Sequence, residues 1–455
     1  MTTPTYDPND TTLSQEKGRH IGVIGGGVAG LVAAYRLARS GYQVTLWERG
    51  NRFGGQAVTF ELNGARIEYF YHHLFQSDTS IVALAEELGV GDDLMWLPSN
   101  VGYFSGGRIY PFNGALDLLR FGAIPLIDRI RLGLVTLYLQ RQTDWAPYEK
   151  VTAHDWLRRA LGQRAYDRTL GAQLRAKFGR YAEQVAMVWF WGKIRLRTTS
   201  RKSPLDQEKL GYFRGSFDTI IDAIVDGARR SGVELHAGLA PERLEQQADG
   251  RWLVTFGDSA PAVVCDAVVA TVPSPIFSEL VPQLPASYRS RLGGLEYEAA
   301  VVAVLELDRK LTDIYWLNIA DDDLPFTGVI EHTNFLPASD YGGSHIVYLS
   351  RYMEADNPAW TRSDDDLFDD YVPYLKRLNP DFDPSWVKNR WIFRERAAQP
   401  VITMNYSERI PDRRTPLAGL YLANTTQIYP EDRGTNYSVR LGNEIAEQVA
   451  ADLAP

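Results

Sequence analysis

Three glycines in G-x-G-x-x-G spacing are the residues of this chain whose arrangement points most directly to chemistry. They are Gly25, Gly27 and Gly30, and they follow a short apolar run that begins at Ile21. Gly25 permits a tight turn, Gly27 lets the backbone approach a pyrophosphate, and Gly30 allows a helix to pack closely on the preceding strand. The phosphates would lie at the positively polarised N-terminus of that helix. The spacing therefore predicts a dinucleotide site.

An acidic residue at the end of the next predicted strand supports this prediction. Ser40 and Gly41 form a helix stop signal, and an alternating run over residues 42–47 leads to Glu48. A carboxylate roughly 20 residues beyond the glycines matches the group that accepts hydrogen bonds from a ribose 2′-hydroxyl. The same carboxylate would repel the 2′-phosphate of NADP. The alternative is an ordinary strand–helix–strand unit with a surface glutamate.

The residues that follow form a second glycine-rich motif, which reads ERGNRFGG from Glu48 to Gly55. A cation beside a double glycine allows a second backbone approach to the same diphosphate. The stretch resembles the E-x-x-x-R-x-G-G extension of the FAD-dependent amine oxidase superfamily, which includes monoamine oxidases, protoporphyrinogen oxidase, phytoene desaturases and UDP-galactopyranose mutase. The residues that would bind the cofactor by this resemblance are Arg49, Arg52, Gly54, Gly55 and Gln56.

The resemblance covers nearly the whole chain after residue 18 and implies an α/β fold that binds FAD non-covalently. A Rossmann-like FAD-binding domain, built from three discontinuous segments, would be interleaved with an α+β substrate domain of helices and antiparallel sheet. Strand–helix–strand patterns in three separated places are typical of this organisation. The predicted divisions are a disordered tail at 1–18, FAD-binding segments at 19–106, 205–280 and 397–455, a helical substrate segment at 107–204 and a substrate sheet at 281–396.

A polar loop before the last predicted helix resembles the C-terminal flavin contact of the family. The helix N-terminus presents backbone N–H groups that would stabilise negative charge at the N1–C2=O edge of the flavin. Thr435 or Asn436 is expected to cap this helix. The alternative is a capped terminal helix with a charged loop. The candidate cofactor contacts in this segment are Asn424, Arg433, Gly434, Thr435 and Asn436.

Two adjacent histidines, His72 and His73, follow the double glycine. In relatives a similar strand ends in D-x-G-x-H and leads the backbone under the flavin; here Glu68 and Phe70 replace the usual Asp and Gly. We assign His72 as a cofactor contact and His73 as a catalytic proton relay. The alternative is a histidine pair that holds a turn.

Substrate-side candidates lie in two places. Arg175 and Lys177 are two residues apart, so they share a face only on a strand, where they would bind an anionic substrate group with help from Arg195 and Arg197. The alternative is a solvated helical face.

Polar residues at the end of a predicted strand supply the other candidates. His332 is expected to line the pocket and act in catalysis, and Glu331 and Tyr348 are expected to bind substrate. Amine oxidases commonly carry a lysine that holds a water at flavin N5. Lys310 is typical of a turn, so amine oxidation proper is less favoured than membership of the wider superfamily.

Composition limits the classes of function. The 455 residues carry a net charge of −9 and no basic block, which argues against a nucleic-acid partner. One cysteine, Cys265, lies in an apolar run at 263–271 that reads as a single buried strand, so it is expected to be core packing in a cytoplasmic chain. The seven histidines are scattered, and no metal site is predicted.

One segment allows two interpretations. Residues 116–139 contain apolar stretches broken by arginines and an aspartate, but no run reaches the roughly 18 residues that span a bilayer. A pair of core helices is the favoured interpretation. The alternative is a monotopic hairpin that contacts a membrane peripherally.

Together these observations predict a FAD-dependent oxidoreductase that takes a hydride from a substrate C–H onto flavin N5, as an oxidase, dehydrogenase or desaturase with a small biosynthetic substrate. One alternative is a mutase like UDP-galactopyranose mutase, which acts on a nucleotide sugar without net redox, with Arg175, Lys177 and the Arg195/Arg197 pair holding a diphosphate. The other is a non-enzymatic escort protein that resembles the GDP-dissociation inhibitors.

Overall fold

The computed structural model describes residues 18–199 and 208–454. The tail predicted at 1–18 therefore lies, apart from Gly18, outside the described residues. The strands are β1 (His20–Ile24), β2 (Gln43–Glu48), β3 (Thr59–Leu62), β4 (Ala65–Glu68), β5 (Leu74–Phe75), β6 (Leu94–Pro98), β7 (Val101–Ser105), β8 (Arg108–Pro111), β9 (Lys209–Phe213), β10 (Glu234–Ala237), β11 (Arg243–Gln246), β12 (Trp252–Thr255), β13 (Val263–Cys265), β14 (Ala267–Ala270), β15 (Tyr297–Leu307), β16 (Trp316–Ile319), β17 (Gly328–Glu331), β18 (His345–Glu354), β19 (Val387–Pro400) and β20 (Leu420–Leu422). The helices are α1 (Val28–Arg39), α2 (Thr79–Leu88), α3 (Ala115–Arg120), α4 (Leu126–Arg141), α5 (Ala146–Glu149), α6 (Ala153–Leu161), α7 (Gln163–Asp167), α8 (Leu170–Phe178), α9 (Met187–Thr199), α10 (Asp218–Arg230), α11 (Ser274–Leu280), α12 (Ala286–Gly293), α13 (Asp364–Leu378) and α14 (Thr435–Leu453).

A parallel sheet in the order β10-β2-β1-β14-β20 forms the first layer. Helix α1 packs on β1 and β2 and against α10 and α14. The strands come from three separate parts of the chain, which confirms the predicted α/β class and its discontinuous construction. Because β1 lies at the centre and leads into α1, the glycine-rich turn is placed at the carboxyl edge of the sheet, where such sheets bind ligands.

A larger sheet in the order β19-β15-β18-β17-β16-β7-β8 forms the second half. Its neighbouring strands pair antiparallel, except that β16 and β7 run parallel. Strand β7 falls within the segment 19–106 that the sequence assigns to the FAD-binding domain, yet it pairs in this sheet. Local periodicity shows that β7 is a strand but carries no information about its partner.

The strand predicted over 263–271 is two strands that belong to different sheets. Strand β13 pairs antiparallel with β12, whereas β14 pairs parallel with β1. The break is at Asp266, whose carboxylate accepts a hydrogen bond from the His20 N–H (2.7 Å). Cys265 is buried, as predicted, and its burial raises the pKa of its thiol to about 12.

The helical segment 116–139 differs from the favoured expectation. It forms α3 and α4, but α4 buries only Asp128, Leu132 and Leu139, and most of its apolar side chains face outward. The prediction of a pair of core helices is therefore wrong for most of this surface, because the apolar residues of α4 lie on two opposite faces and the protein covers one of them. Within 18–199 and 208–454, no helix has the length and apolar content to cross a bilayer.

Candidate functional site

The first glycine motif forms a tight strand-to-helix turn. Gly25 has a φ of +104°, and its N–H donates to the Trp47 carbonyl (2.8 Å). A Cβ on Gly30 would lie 2.0 Å from the Gly25 carbonyl oxygen, so only glycine permits this packing. Helix α1 begins directly after Gly27, and no side chain caps its N-terminus. The backbone N–H groups at this positive end are therefore available to a phosphate.

The second glycine motif packs on the first through the backbone alone. The Gly54 N–H donates to the Gly26 carbonyl (2.8 Å), and Gly55 has a φ of +61°. A Cβ on Gly55 would lie 2.9 Å from the Gly27 Cα, closer than two such carbons approach in proteins. The two loops form a cradle of main-chain groups that side chains at these positions would fill. This cradle fits the diphosphate of a dinucleotide.

The predicted ribose ligand lies beside the cradle. Glu48 ends β2, and its carboxylate accepts hydrogen bonds from the N–H groups of Gly26 and Gly50, each at 2.6 Å. The two arginines of the motif are placed differently from the expectation. Arg49 is exposed, and Arg52 donates to the Asp218 carboxylate (2.8 Å) on α10. Arg52 thus holds its loop against α10, and its assignment as a direct cofactor contact is not supported.

Replacing Glu48 with alanine is expected to weaken FAD binding about tenfold, since a charged acceptor for the ribose is lost. The fold should persist because the carboxylate lies at the end of a strand. Equilibrium titration of the apoprotein with FAD, followed by flavin fluorescence, measures this change. Glu61→Ala on the exposed edge of β3 is the control. Equal FAD affinity in the two variants would contradict the ribose assignment.

A cavity of about 150 Å³ lies between the glycine-rich half and the large sheet. It is lined by Gln56, His72 and His73 from the first segment, by Lys193 from α9, by Tyr352 from β18 and by residues 433–437. Three predicted groups, Gln56, the histidine pair and the loop before α14, therefore converge on one space, although they are far apart in sequence.

The loop before α14 is held by a buried network. Arg433 donates to Tyr352 Oη (2.7 Å) and to Gln399 Oε1 (3.2 Å). Gly434 is the N-cap of α14 and no side chain caps this helix, so the expectation that Thr435 or Asn436 does so is wrong. The side-chain Oδ1 of Asn436 instead accepts the N–H groups of Ser80 and Ile81 at the start of α2. The positive end of α14 is thus open to the cavity, as a flavin contact requires.

Asp432, the residue before Arg433, is a buried carboxylate among cations. Lys193 Nζ lies 2.5 Å from its oxygen, and Gln399 Nε2 donates to it at 2.8 Å. Burial acts to raise the pKa of Asp432, but Lys193, Lys177 and Arg433 outweigh it and hold this pKa well below its usual range. The carboxylate is ionised at every ordinary pH and fixes Lys193 at the cavity wall.

Lys177 lies behind the cavity rather than in it. Its Nζ is 3.9 Å from Asp432 and lies over the rings of Trp189 (4.9 Å) and Tyr352 (5.0 Å). Its side chain is 14% exposed, and burial lowers its pKa well below the usual value against the attraction of Asp432. The side chain is enclosed by protein, so the assignment of Lys177 as a substrate ligand is not supported.

The histidine pair lines the cavity. The Phe70 carbonyl lies 2.5 Å from His72 Nδ1, and Tyr315 Oη lies 3.2 Å from His73 Nδ1. Burial lowers the pKa of His72 to about 4 and that of His73 to about 3, and the nearby cation of Arg197 adds to the effect on His73. Both imidazoles are therefore neutral at neutral pH, and each can donate one proton and accept another.

The pocket residues predicted from the end of β17 belong to the core. His332 is 3% exposed and its Nε2 lies 2.6 Å from Tyr341 Oη, so it does not reach the described cavity. Glu331 accepts the N–H groups of Leu311 and Thr312 and stabilises a turn. The polar pattern at this strand end marks a buried hydrogen-bond network, and the catalytic assignment of His332 and the substrate assignment of Glu331 are wrong.

Three other assignments are corrected in the same way. Tyr348 donates to the Glu68 carbonyl (2.8 Å) within the core. Arg175 pairs with Asp322 (2.9 Å) at the surface, because residues 170–178 form a helix and not a strand. The side chain of Asn424 accepts the Thr426 N–H and so holds the turn after β20. None of the three lines the cavity in the part of the chain that the structure describes.

Glu68 predicts a pH dependence of stability. Burial raises the pKa of this carboxyl to about 7, although Phe217 N–H and Tyr212 Oη donate to it. Because its folded-state pKa exceeds the unfolded value, its contribution to stability is present at low pH and is lost as pH rises through about 7. The unfolding free energy of Glu68→Gln relative to wild type should therefore rise by about 2 kcal/mol between about pH 5 and about pH 8.

Urea titrations across this pH range measure the difference. Glu61→Gln on β3 is the matched control, since Glu61 is exposed and its offset from wild type should stay constant with pH. A constant offset for Glu68→Gln as well would show that this carboxyl titrates like one in water.

Three site residues have no place in the sequence-based assignment. Asp432 adjoins Arg433 in the loop before α14, and this position is the signal by which the sequence could have placed Asp432 at the site. Lys193 and Tyr352 come from α9 and β18, and no local motif marks either of them. Their place at the cavity depends on how the helical segment packs against the large sheet. Among the described residues, no cluster of His, Cys, Asp and Glu has the geometry to hold a metal ion.

Comparisons with known proteins show what the whole chain is similar to. The chain is 23% identical over 450 residues to the 15-cis-phytoene desaturase of Narcissus pseudonarcissus, covering 91% of this chain and 76% of that protein. It is 24% identical over 348 residues to the coproporphyrinogen III oxidase of Propionibacterium freudenreichii subsp. freudenreichii, covering 63% of each. The crystal structure of reduced UDP-galactopyranose mutase superposes with a TM-score of 0.72 at 17% identity, covering 95% of this chain and 96% of that one.

A family model supplies the assignment. The model described as flavin containing amine oxidoreductase matches residues 28–431, which include α1 and the second glycine motif and end at Glu431 in the loop before α14. The resemblance stated from the glycine motifs is thereby confirmed. The chain belongs to the family of flavin-containing amine oxidoreductases.

Proposed function

We propose that this protein binds FAD non-covalently and oxidises a small molecule by removing a hydride from a C–H bond. The observation that carries the proposal is the paired-glycine cradle at the uncapped end of α1, combined with a cavity at the uncapped end of α14. When bound there, the flavin supplies the hydride acceptor and the redox chemistry of the family.

The residues of the chain divide the binding task by position. Backbone N–H groups at Gly27 and Gly55 would hold the diphosphate, and Glu48 would hold the adenosine ribose. The start of α14 and the fixed guanidinium of Arg433 place positive charge on one wall of the cavity. Cys265 is buried among the residues of another core cluster, with Trp47 and Trp252, and cannot tether a cofactor in the cavity.

His73 is the group we propose to handle the substrate proton. Its Nδ1 contacts Tyr315 Oη, which leaves Nε2 to accept a proton from a bound molecule. A buried imidazole with a pKa of about 3 is a weak base in its own right. We therefore infer that His73 holds the proton at Nε2 only transiently, while its Nδ1–H stays donated to Tyr315 Oη, and releases it to solvent as the product leaves.

Absorption spectroscopy of the purified full chain tests the proposal. The expected result is an oxidised-flavin spectrum, with the flavin recovered in the supernatant after acid precipitation because no covalent bond retains it. Anaerobic mixing with amines, alcohols and reduced polycyclic compounds should then bleach the spectrum for the class that is a substrate. A colourless protein that fails to take up added FAD would overturn the proposal.

The mutase alternative loses two of the four residues on which it rested. Arg175 pairs with Asp322 at the surface and Lys177 is enclosed behind the cavity, so the two do not form a diphosphate site. The likeness to UDP-galactopyranose mutase is one of fold. The intact glycine cradle and the family match likewise favour a flavoenzyme over an escort protein.

A further inference from the structure

Helices α3 and α4 carry an exposed apolar surface. Of the ten exposed large apolar side chains in the described part of the chain, eight lie here. They are Leu116, Leu119, Leu126, Ile127, Ile130, Leu134, Leu137 and Tyr138, with exposures of 42–66%. The other two, Val264 and Met404, lie elsewhere in the sequence. A monomer that exposes a contiguous apolar patch of this kind usually uses it as a binding surface.

The apolar residues of α4 form one stripe. At about 100° per residue, the six exposed apolar side chains from Leu126 to Tyr138 fall within an arc of about 120°. Asp128, Leu132 and Leu139, which are buried, fall on the opposite side of the helix. Helix α4 is therefore covered by the protein on one face, while its wider apolar face is left without a cover among the described residues.

Arginines surround this stripe. Residues 115–141 contain four arginines, at positions 120, 129, 131 and 141, and two aspartates. Both aspartates are already engaged, because Asp117 accepts the Asn113 N–H and Asp128 pairs with Arg164 (2.6 Å). The surface is thus apolar at its centre and positive at its border, in a chain whose net charge is −9.

Two of these arginines, together with a neighbouring one, help to hold the surface in place. Arg129 donates to the carbonyls of Leu119 (2.6 Å) and Ile124 (2.8 Å), which closes the turn between α3 and α4. Arg131 and Arg168 donate to carbonyls of neighbouring segments. Helices α3 and α4 are therefore held in place against the rest of the protein by these hydrogen bonds.

We propose that the α3–α4 surface docks this protein on a bilayer that contains anionic lipid. The apolar stripe would enter the boundary between headgroups and acyl chains, and the exposed Arg120 and Arg141 at its border would pair with lipid phosphates. A second copy of the chain is disfavoured as the occupant. A two-fold interface places a patch against itself and would bring these arginines together without acidic partners.

The α3–α4 surface adjoins the wall of the cavity. Trp191 and Arg195 of α9 both donate to the carbonyl of Gln142, the residue that follows α4 (3.3 and 3.1 Å). The same helix supplies Lys193 and Leu196 to the cavity lining. Docking through α3–α4 would therefore hold the helix that walls the cavity next to the lipid surface.

Vesicle flotation of the full chain tests the proposal. Wild type should float with vesicles of phosphatidylcholine mixed with phosphatidylglycerol, and less with phosphatidylcholine alone or at high salt. Ile127→Gln with Leu134→Gln, which alters side chains 66% and 62% exposed, should lower partitioning at least about tenfold. Arg120→Glu with Arg141→Glu should lower it about tenfold on anionic vesicles only.

The control is Val264→Gln with Met404→Gln, which removes two exposed apolar side chains outside the surface and should leave flotation unchanged. Flavin content and thermal midpoint should match wild type in every variant, so a failure here is separable from a failure of the flavin proposal. Wild type that stays in the soluble fraction with both vesicles would overturn the proposal. So would a dimer, seen by light scattering, that the Ile127→Gln/Leu134→Gln variant abolishes.

Discussion

Alanine at Gly55 is expected to reduce the flavin bound to the purified protein to about a tenth or less of the wild-type content. The new Cβ would lie 2.9 Å from the Gly27 Cα, a contact that one of the two loops must relieve by moving. Movement of either loop withdraws the N–H groups that would hold the diphosphate. Flavin-to-protein absorbance ratios after purification, and after incubation with excess FAD, measure the effect.

Gly64→Ala is the matched control for this substitution. Gly64 has a φ of +78° in the turn between β3 and β4, and nothing lies within 4 Å of its Cβ position. Both variants carry the roughly 1–2 kcal/mol cost of a left-handed non-glycine residue, but only Gly55→Ala places a Cβ in the cradle. Gly64→Ala should keep its flavin. Equal loss of flavin in both variants would mean that backbone strain, and not closure of the cradle, is responsible.

Asparagine at Asp432 is expected to lower the free energy of unfolding by about 3 kcal/mol. The substitution leaves Lys193, Lys177 and Arg433 without their shared counter-charge. The estimate is at the lower end of the range for a broken buried ion pair because Lys193 is 36% exposed and can turn toward solvent. Urea denaturation at neutral pH gives the value directly.

The loss of unfolding free energy in Asp432→Asn should depend on pH. The pKa of Asp432 is depressed in the folded state, so its contribution is present above the unfolded pKa and is lost as pH falls through the folded one. The deficit of Asp432→Asn should therefore shrink in acid. Asp356→Asn is the control, because Asp356 pairs with Arg180 at 72% exposure and, as a solvent-screened surface pair, should contribute little to stability. Equal losses from the two variants would show that the Asp432 cluster is no stronger than a surface pair.

The parts of the site that could be predicted from the sequence are those encoded by neighbouring residues. Gly25 and Gly30 act through backbone geometry that only glycine permits, Gly27 precedes α1 directly, and Glu48 follows them by the length of one helix and one strand. All four residues lie within one strand–helix–strand unit. Their spacing alone therefore located the cradle.

The failed assignments share a different cause. His332 and Arg175 are polar residues in plausible positions, but their partners, Tyr341 and Asp322, cannot be identified from spacing. Arg52 has the residue type that a phosphate prefers, yet Asp218 of a distant segment binds it. Lys193 shows the converse, a residue without a motif that packing brings to the cavity. Ion pairs between distant segments depend on the tertiary structure, so they cannot be predicted from the local sequence pattern.

The discontinuous parallel sheet has a consequence for biogenesis. Its edge strand β20 and the helix α14, which packs on α1 so closely that a Cβ on Gly442 would lie 2.7 Å from the Ala29 carbonyl oxygen, come from the last part of the chain. During translation β1, α1 and β2 emerge first. Their sheet cannot be completed until β20 and α14 have been synthesised. Loading of a flavin would therefore be a late event, and a ribosome-stalled product ending before α14 would expose the incomplete sheet to chaperones and proteases.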